Sequence, residues 1–332
     1  MSQSELMQAL LVSDLAPDFA GCAVANLAVP EPGPNQALIR VHSAALGFPD
    51  LLMTEGKYQH RPDLPFIPGN DISGEIVSLG DESGDLAVGD AVVATLGVGG
   101  FGEYALCPIA SLRRKPDGMS FDAAAAFGVA YLTAYVSLVR RAMVQKGEWV
   151  LVHGAAGGVG LAAVDLAKAL GAKVIAASAS DEKLEIIANE YQPDAIINVT
   201  QGFREEIKEL TGGGADVIYD PVGGDIFDES TRCIAFDGRL LVVGFASGRI
   251  ATVPTNIPLI KGFSVVGVRA GEYGRRHPER GEENFDAIWA LAEAGRLKPR
   301  VHATLPLARW REAFELMRTR KLVGRVIINP SE

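Results

Sequence analysis

Residues 150–160, Val-Leu-Val-His-Gly-Ala-Ala-Gly-Gly-Val-Gly, constrain this chain more than any other stretch. An apolar strand runs into a turn of small residues, and the turn opens a helix over 161–170. A second apolar strand, 172–177, follows at once. Strand, tight turn, helix and strand in that order make a parallel βαβ unit, and Gly157 and Gly160 fall on the last two glycine positions of the dinucleotide fingerprint. Ala155 stands at the first. Lacking a Cβ, Gly157 lets the backbone approach a pyrophosphate, and Gly160 lets the helix lie against the strand. The pyrophosphate would rest on the free N–H groups of the helix start, so Ala156, Gly157, Gly158 and Val159 form the candidate cradle.

The type of nucleotide is read from the end of the second strand. An acid about 20 residues beyond the turn would bond the ribose hydroxyls of NAD. That place reads Ala176-Ala177-Ser178-Ala179-Ser180, without a carboxylate. Ser178 can donate to a 2′-phosphate and Lys183 can supply the opposing charge. Asp181 reads instead as first-turn chemistry of the next helix, with Ser180 as its N-cap. These choices favour NADPH; the competing reading of Lys183 is a solvated helix lysine.

Around this unit the texture of the chain changes twice. Up to about residue 121 short alternating strands are separated by Gly, Pro and Asp turn signals, the pattern of a compact barrel. From there strands and helices alternate, which builds a doubly wound parallel sheet of the Rossmann type. After about 258 come one strand at 263–268, helices at 283–294 and 310–319, and a closing strand at 324–329. The fold class is α/β, with a barrel domain over 1–121 completed by 259–332 and a nucleotide-binding domain over 122–258. The strand 263–268 is rich in β-branched residues and would end the central sheet, so an exposed edge there predicts a homodimer.

Composition narrows the partners. The net charge of −10 disfavours nucleic acid, which needs a basic face. The apolar runs read as strand-sized, which predicts no membrane span. Residues 1–5 lack the basic and apolar regions of a secretory signal. Cys22, Cys107 and Cys233 are too scattered for a disulfide framework or a CxxC metal site, and buried thiols in a reducing cytoplasm are the simplest reading.

Six motifs then carry a family resemblance over essentially the whole length. They are Gly47-Phe48-Pro49-Asp50, Gly56-Lys57-Tyr58, the run 65–74 (Pro-Phe-Ile-Pro-Gly-Asn-Asp-Ile-Ser-Gly), Leu132-Thr133-Ala134-Tyr135, Gly212-Gly213-Gly214-Ala215-Asp216 and Tyr219-Asp220-Pro221-Val222-Gly223-Gly224, beside the turn already described. The chain resembles the zinc-free, ζ-crystallin-like quinone oxidoreductases of the medium-chain dehydrogenase/reductase superfamily. The resemblance implies a GroES-like barrel, a Rossmann domain, NADPH, and reduction of quinones or activated C=C bonds.

The same resemblance speaks to metal. Zinc-dependent relatives carry a Cys at the place of Gly47, a His-Glu pair at Asn70-Asp71 and a Cys near Val129. Zinc needs Cys, His or carboxylate ligands in a tetrahedral array, and of these only Asp71 is left. The expected chemistry is therefore metal-free, with the substrate oxygen polarised by hydrogen bonds.

For that chemistry Tyr58 is the candidate catalytic donor, or else a wall of the substrate pocket. Family members often have Asn where Gly47 stands, so a usual polar contact is missing and the pocket is larger. Thr133 is a candidate contact on the nicotinamide side, or a packed helix threonine. Phe245 follows a strand end where open α/β sheets bind ligands, or is core. Arg325 either faces a cofactor phosphate or is a solvated strand-end arginine. Arg269, Arg275, Arg276 and Arg280 form either a solvated loop or a basic rim suited to an anionic acceptor. The leading function is NADPH-dependent quinone reduction. The alternative is an enoyl reductase acting on an enone, enoyl thioester or acrylate-type acid. The outside alternative is a non-enzymatic, crystallin-like or RNA-binding role.

Overall fold

The structure, a computed structural model, describes residues 5–80 and 84–331. Four of the five residues on which the reading of the N-terminus rests, 1–4, lie outside the described residues. The chain divides into two compact units: Met1–Val129 with Pro299–Glu332, and Ala130–Lys298.

The first unit opens with the antiparallel ribbon β1 (Leu6–Val12) and β2 (Cys22–Ala28). Next come β3 (Gln36–Leu46), α1 (Phe48–Thr54), β4 (Asp71–Leu79), β5 (Ala91–Thr95), β6 (Tyr104–Pro108), β7 (Leu112–Arg114) and α2 (Phe121–Tyr135). The long strand β3 organises the sheet. It pairs antiparallel with β4 along 37–45 and with β6 along 36–40. Two register shifts in the β3–β4 pairing, between Leu38 and Ile39 and between Val41 and Ser43, bend it so that residues on both faces are buried.

The second unit alternates strand and helix: β8 (Trp149–Val152), α3 (Gly158–Ala169), β9 (Lys173–Ser178), α4 (Asp181–Tyr191), β10 (Ala195–Asn198), α5 (Arg204–Thr211), β11 (Ala215–Asp220), α6 (Gly224–Ser230), β12 (Ile234–Val242), α7 (Asn256–Lys261), β13 (Ser264–Gly267), α8 (Ala270–Arg276) and α9 (Pro278–Glu293). All six strands are parallel, in the order β10-β9-β8-β11-β12-β13. The central strands are apolar runs with no exposed face, as a sheet covered on both sides requires. The order reverses between β8 and β11, and ligands of open α/β sheets bind at such a switch point.

The chain then returns to the first unit as β14 (Val301–Pro306), α10 (Trp310–Arg318) and β15 (Arg325–Asn329). β15 pairs antiparallel with β3 at 44–46 and parallel with β14. Phe314 of α10 sits at the heart of this core. It makes edge-on contacts with Phe19, Phe101 and Trp310, at centroid distances of 5.1, 6.1 and 5.5 Å.

Two expectations are corrected. The division falls at 129/130 and 298/299, not at 121/122 and 258/259. Residues 122–129 stay with the first unit because Ala125 and Ala126 pack on Ala45 and Ile327, and Asp122 accepts from Ser43 Oγ and Thr304 Oγ1. Residues 259–298 stay with the second. There β13 extends the parallel sheet, Arg140 Nε donates to Asn284 Oδ1 (2.6 Å), and Lys298 N–H donates to Asp165 (2.6 Å). Nor are all apolar runs strand-sized. α2 continues into a π-helical turn (Val136–Arg141), and Phe121–Arg141, 21 residues, is long and apolar enough to cross a membrane. The most apolar window of that helix is 61% buried inside the structure, as in a core helix.

Truncating Phe314 to Ala should destabilise the protein by about 3–5 kcal/mol, through lost burial and an unfilled cavity. Urea unfolding checks this as a lower midpoint.

Candidate active site

The turn after β8 is tied on both sides. His153 N–H donates to the Tyr219 carbonyl (3.0 Å), and Ala155 N–H donates to that of Ala177 (3.1 Å). Gly157 N–H closes the turn on Gly154 O at 2.9 Å, and α3 starts at Gly158 with no side chain capping its first N–H groups. The two fingerprint glycines differ physically. A Cβ at Gly160 would lie 2.2 Å from Gly154 O, so no other residue lets α3 approach the strand end. A Cβ at Gly157 would meet nothing closer than 3.4 Å, and its φ of −77° suits any residue. Nothing inside the protein demands glycine at 157. The space it leaves lies at the uncapped helix start, which fits a bound pyrophosphate.

At the end of β9, half-buried Ser178 pairs in register with Asn198. Ser180 caps α4 as expected, its Oγ accepting from Lys183 N–H at 3.4 Å. Asp181 is exposed and engaged by Asn198 Nδ2 at 2.7 Å. Half-buried Lys183 stands in the first turn of α4.

Beside this turn stands a second one, after β11, which the sequence reading used only as a motif. The buried Asp220 carboxylate accepts from the N–H groups of Val222 (2.8 Å) and Gly223 (2.9 Å), folding the chain back at the switch point. Burial nonetheless keeps this carboxyl above the ordinary aspartate range. The two turns touch, since a Cβ on Gly154 would lie 3.2 Å from Val222 Cγ2. Phe245 is 44% exposed, with its ring edge 3.1 Å from a Cβ built on Gly223. It belongs to this strand-end cluster and not to the core. Thr133 lies on half-buried α2 surface, and its carbonyl accepts from Ser137 Oγ at 2.6 Å.

His153 is fully buried behind the turn. Ser230 Oγ donates to the Ile226 carbonyl (2.7 Å), so it accepts from His153 Nε2–H at 2.9 Å, which assigns the tautomer from the network. Burial alone drives this imidazole down to about 3, so it is neutral.

The other candidates lie in the first unit. Tyr58 follows α1, half-buried, with its ring against the barrel core. Arg325 is not a solvated arginine. Its side chain is 9% exposed, and Nη2 is paired with buried Asp71 Oδ2 at 3.0 Å. Burial pushes the Asp71 carboxyl up, and the guanidinium works against that shift. Asp71 Oδ1 also accepts from Val129 N–H (3.2 Å) and Thr95 Oγ1 (3.3 Å). Next to the pair, Asp50 accepts from Gly47 N–H (2.8 Å) and Gly69 N–H (3.0 Å), and burial raises it to about 6. Asp50 had a readable signal: Pro near the helix start and an acid three residues after Gly47 suit a first turn. The Asp71–Arg325 pair had none, because its partners are 254 residues apart.

This donor set does not fit zinc. Gly47 offers no ligand, and the one carboxylate at the expected place is neutralised by a fixed cation. Among the described residues no group of three or more His, Cys, Asp or Glu could hold a metal ion.

Comparison with known proteins matches residues 33–117 to the alcohol dehydrogenase GroES-like domain and residues 158–290 to the zinc-binding dehydrogenase domain. The quinone oxidoreductase-like protein 2 homolog of Nematostella vectensis is 42% identical, over 90% of this chain and 83% of its own. The chain belongs to the quinone oxidoreductase family of the medium-chain dehydrogenase/reductases. Its fold is a GroES-like domain joined to a Rossmann sheet. A mycobacterial protein solved in complex with NADPH superposes with a TM-score of 0.86 at 27% identity, covering 98% of this chain and all of that one. CurK enoyl reductase superposes with a TM-score of 0.86 at 25% identity, covering 98% and 99%.

His153 gives a pH signature. The unfolded chain binds a proton at the ordinary value of 6.5, whereas the folded chain holds off protonation to about 3. Its contribution is complete above pH 6.5 and is lost as pH falls through that window, up to about 5 kcal/mol. Asp50 acts in the opposite sense, since its raised carboxyl favours folding as pH falls from about 6 towards 3.8. Replacing His153 with Gln should therefore lower stability at pH 7 yet flatten its loss on acidification, read from urea midpoints at pH 7 and 4.5.

Proposed function

We propose that this chain reduces quinones with a hydride from NADPH and without a metal ion. It is an NADPH-dependent oxidoreductase. The observation that carries the reading is Gly157, a glycine that the fold itself does not need, at an uncapped helix start on the switch point. The bound cofactor would supply both electrons as hydride. Ala156, Gly157, Gly158 and Val159 would hold its pyrophosphate. Ser178 and Lys183 would take the 2′-phosphate, with Asp181 already engaged by Asn198. Phe245 and Thr133 would border the nicotinamide. Tyr58 would present its hydroxyl to the acceptor and its ring as a wall. With Asp71 committed to Arg325, the acceptor oxygen is left to hydrogen-bond donors.

The enoyl-reductase alternative leaned on the arginines of 269–280. Those charges are compensated: Glu272 sits 4.0, 3.1 and 2.7 Å from Arg269, Arg275 and Arg276, and Arg280 donates to Tyr273 OH. Counting through 283, four arginines (269, 275, 276, 280) face four glutamates (272, 279, 282, 283). A neutral acceptor suits such a segment better than a polyanion. The net charge of −10 argues against an RNA-binding role. Three buried free thiols favour a reducing cytoplasm.

NADPH should bind at least about 10-fold more tightly than NADH, with Lys183→Ala narrowing the gap and Gly157→Ala weakening both. Calorimetry with each dinucleotide decides; equal affinities for the unmodified protein would remove the argument from Ser178 and Lys183.

We also place a homodimer on β13. The strand ends the sheet with its residues largely exposed, and Phe236, Leu259 and Ile260 near it are 76%, 81% and 74% exposed. Pairing with a symmetry mate would cover both the backbone edge and this apolar surface. Sedimentation at micromolar concentration should give a dimer mass, and Val265→Lys should give the monomer.

A further inference from the structure

We propose that Asn198 is a positioning residue that sets the choice between NADPH and NADH, by tethering the Asp181 carboxylate to the edge strand. The inference deepens the NADPH reading of Ser178 and Lys183 and rests on it.

The problem it solves is local to the second unit. Asp181 opens α4, three residues after Ser178 and two before Lys183. A carboxylate beside the end of β9 is the group that takes ribose hydroxyls in an NAD site, and it repels a 2′-phosphate. A chain that selects NADPH must therefore occupy this carboxylate elsewhere.

Three observations show how that is done. First, Asn198 is the in-register partner of Ser178 on the neighbouring strand, so its side chain starts from the same sheet end. Second, its amide is oriented. Oδ1 accepts from Thr200 N–H (3.0 Å) and Thr200 Oγ1 (2.8 Å), which turns Nδ2 to Asp181 Oδ1 at 2.7 Å. β10 is the edge strand, and β8 with its dinucleotide turn lies on the other side of β9. The carboxylate is thus drawn across to the edge. Third, Asp181 is not held there by a capping duty, because Ser180 Oγ already accepts from Lys183 N–H at 3.4 Å and fills the N-cap role. Asn198 supplies a neutral donor to the acid while leaving the positive charge of Lys183 to the phosphate.

The test is calorimetry on the full chain with two pairs of ligands. Adenosine 2′,5′-bisphosphate against 5′-AMP confines the readout to the adenosine end, and NADPH against NADH repeats it on the whole cofactor. The unmodified chain should favour the 2′-phosphate member of each pair by at least about 10-fold. Asn198→Ala should cut that preference to about 2-fold or less, and adding Asp181→Asn should restore it. Asp181→Asn alone should change it by less than about 2-fold, since the carboxylate is already occupied. Should the loss of the Thr200 contacts unfold the Asn198→Ala chain, Asn198→Asp decides. It keeps an acceptor for Thr200, removes the donor to Asp181 and should lower the preference in the same way. Asp181→Asn in that background rebuilds the hydrogen bond with its roles exchanged and should bring the preference back. A preference that survives Asn198→Ala would overturn the role of Asn198 alone. So would an equal loss of affinity for both members of a pair, which would make Asn198 a support of its turn and nothing more. Equal affinities for both members in the unmodified chain would instead overturn the NADPH reading itself.

Discussion

A carboxylate stays ionised inside a β-sheet core only beside a cation, and much of the first unit is arranged around that constraint at Asp71. Asp71 begins β4 and Arg325 begins β15, and both strands pair with the same segment of β3. The ion pair therefore spans the sheet across Ala45 and fixes the returning chain to strands laid down far earlier in the sequence. Removing one partner alone would cost about 3–5 kcal/mol, because the other would remain as an uncompensated buried charge. The pair also dictates its neighbours. A Cβ on Gly128 would lie 2.7 Å from Asp71 Oδ1, so the carboxylate can reach Val129 N–H only where α2 carries no side chain.

The second unit depends on a different close contact, that of Gly160 with the carbonyl of Gly154. It lets α3 begin directly above the end of β8, which in turn points uncapped N–H groups at the switch point. Asp220 does equivalent work on the next strand by capping its own turn. Both turns are thus defined by backbone hydrogen bonds, and a ligand there would meet a surface that is already formed.

The parallel sheet was legible in the sequence because its strands are buried on both faces and read as unbroken apolar runs. The N-cap at Ser180 was legible for the same local reason. The first unit was harder. Its strand β3 is bent by register shifts, and β14 pairs in parallel with a strand some twenty residues on. The role of Arg325 could not be read, since a strand-end arginine carries no mark of a partner 254 residues away. The arginine-rich segment is a different case. Its glutamates were in plain view, and counting both signs of charge gives the balance that the structure displays.

The Asp71–Arg325 pair also bears on what this position could hold. A zinc ion bound by Asp71 would have to displace Arg325 or stand beside it, and two cations within hydrogen-bond distance of one carboxylate repel strongly in a dry sheet. A guanidinium meets negative charge through its N–H donors and its own charge, and needs no ligand set. Val129 contributes its backbone N–H to Asp71. In hydride chemistry the cofactor carries the electrons, so what falls to the protein is to position the partners and to meet a developing negative charge with fixed donors.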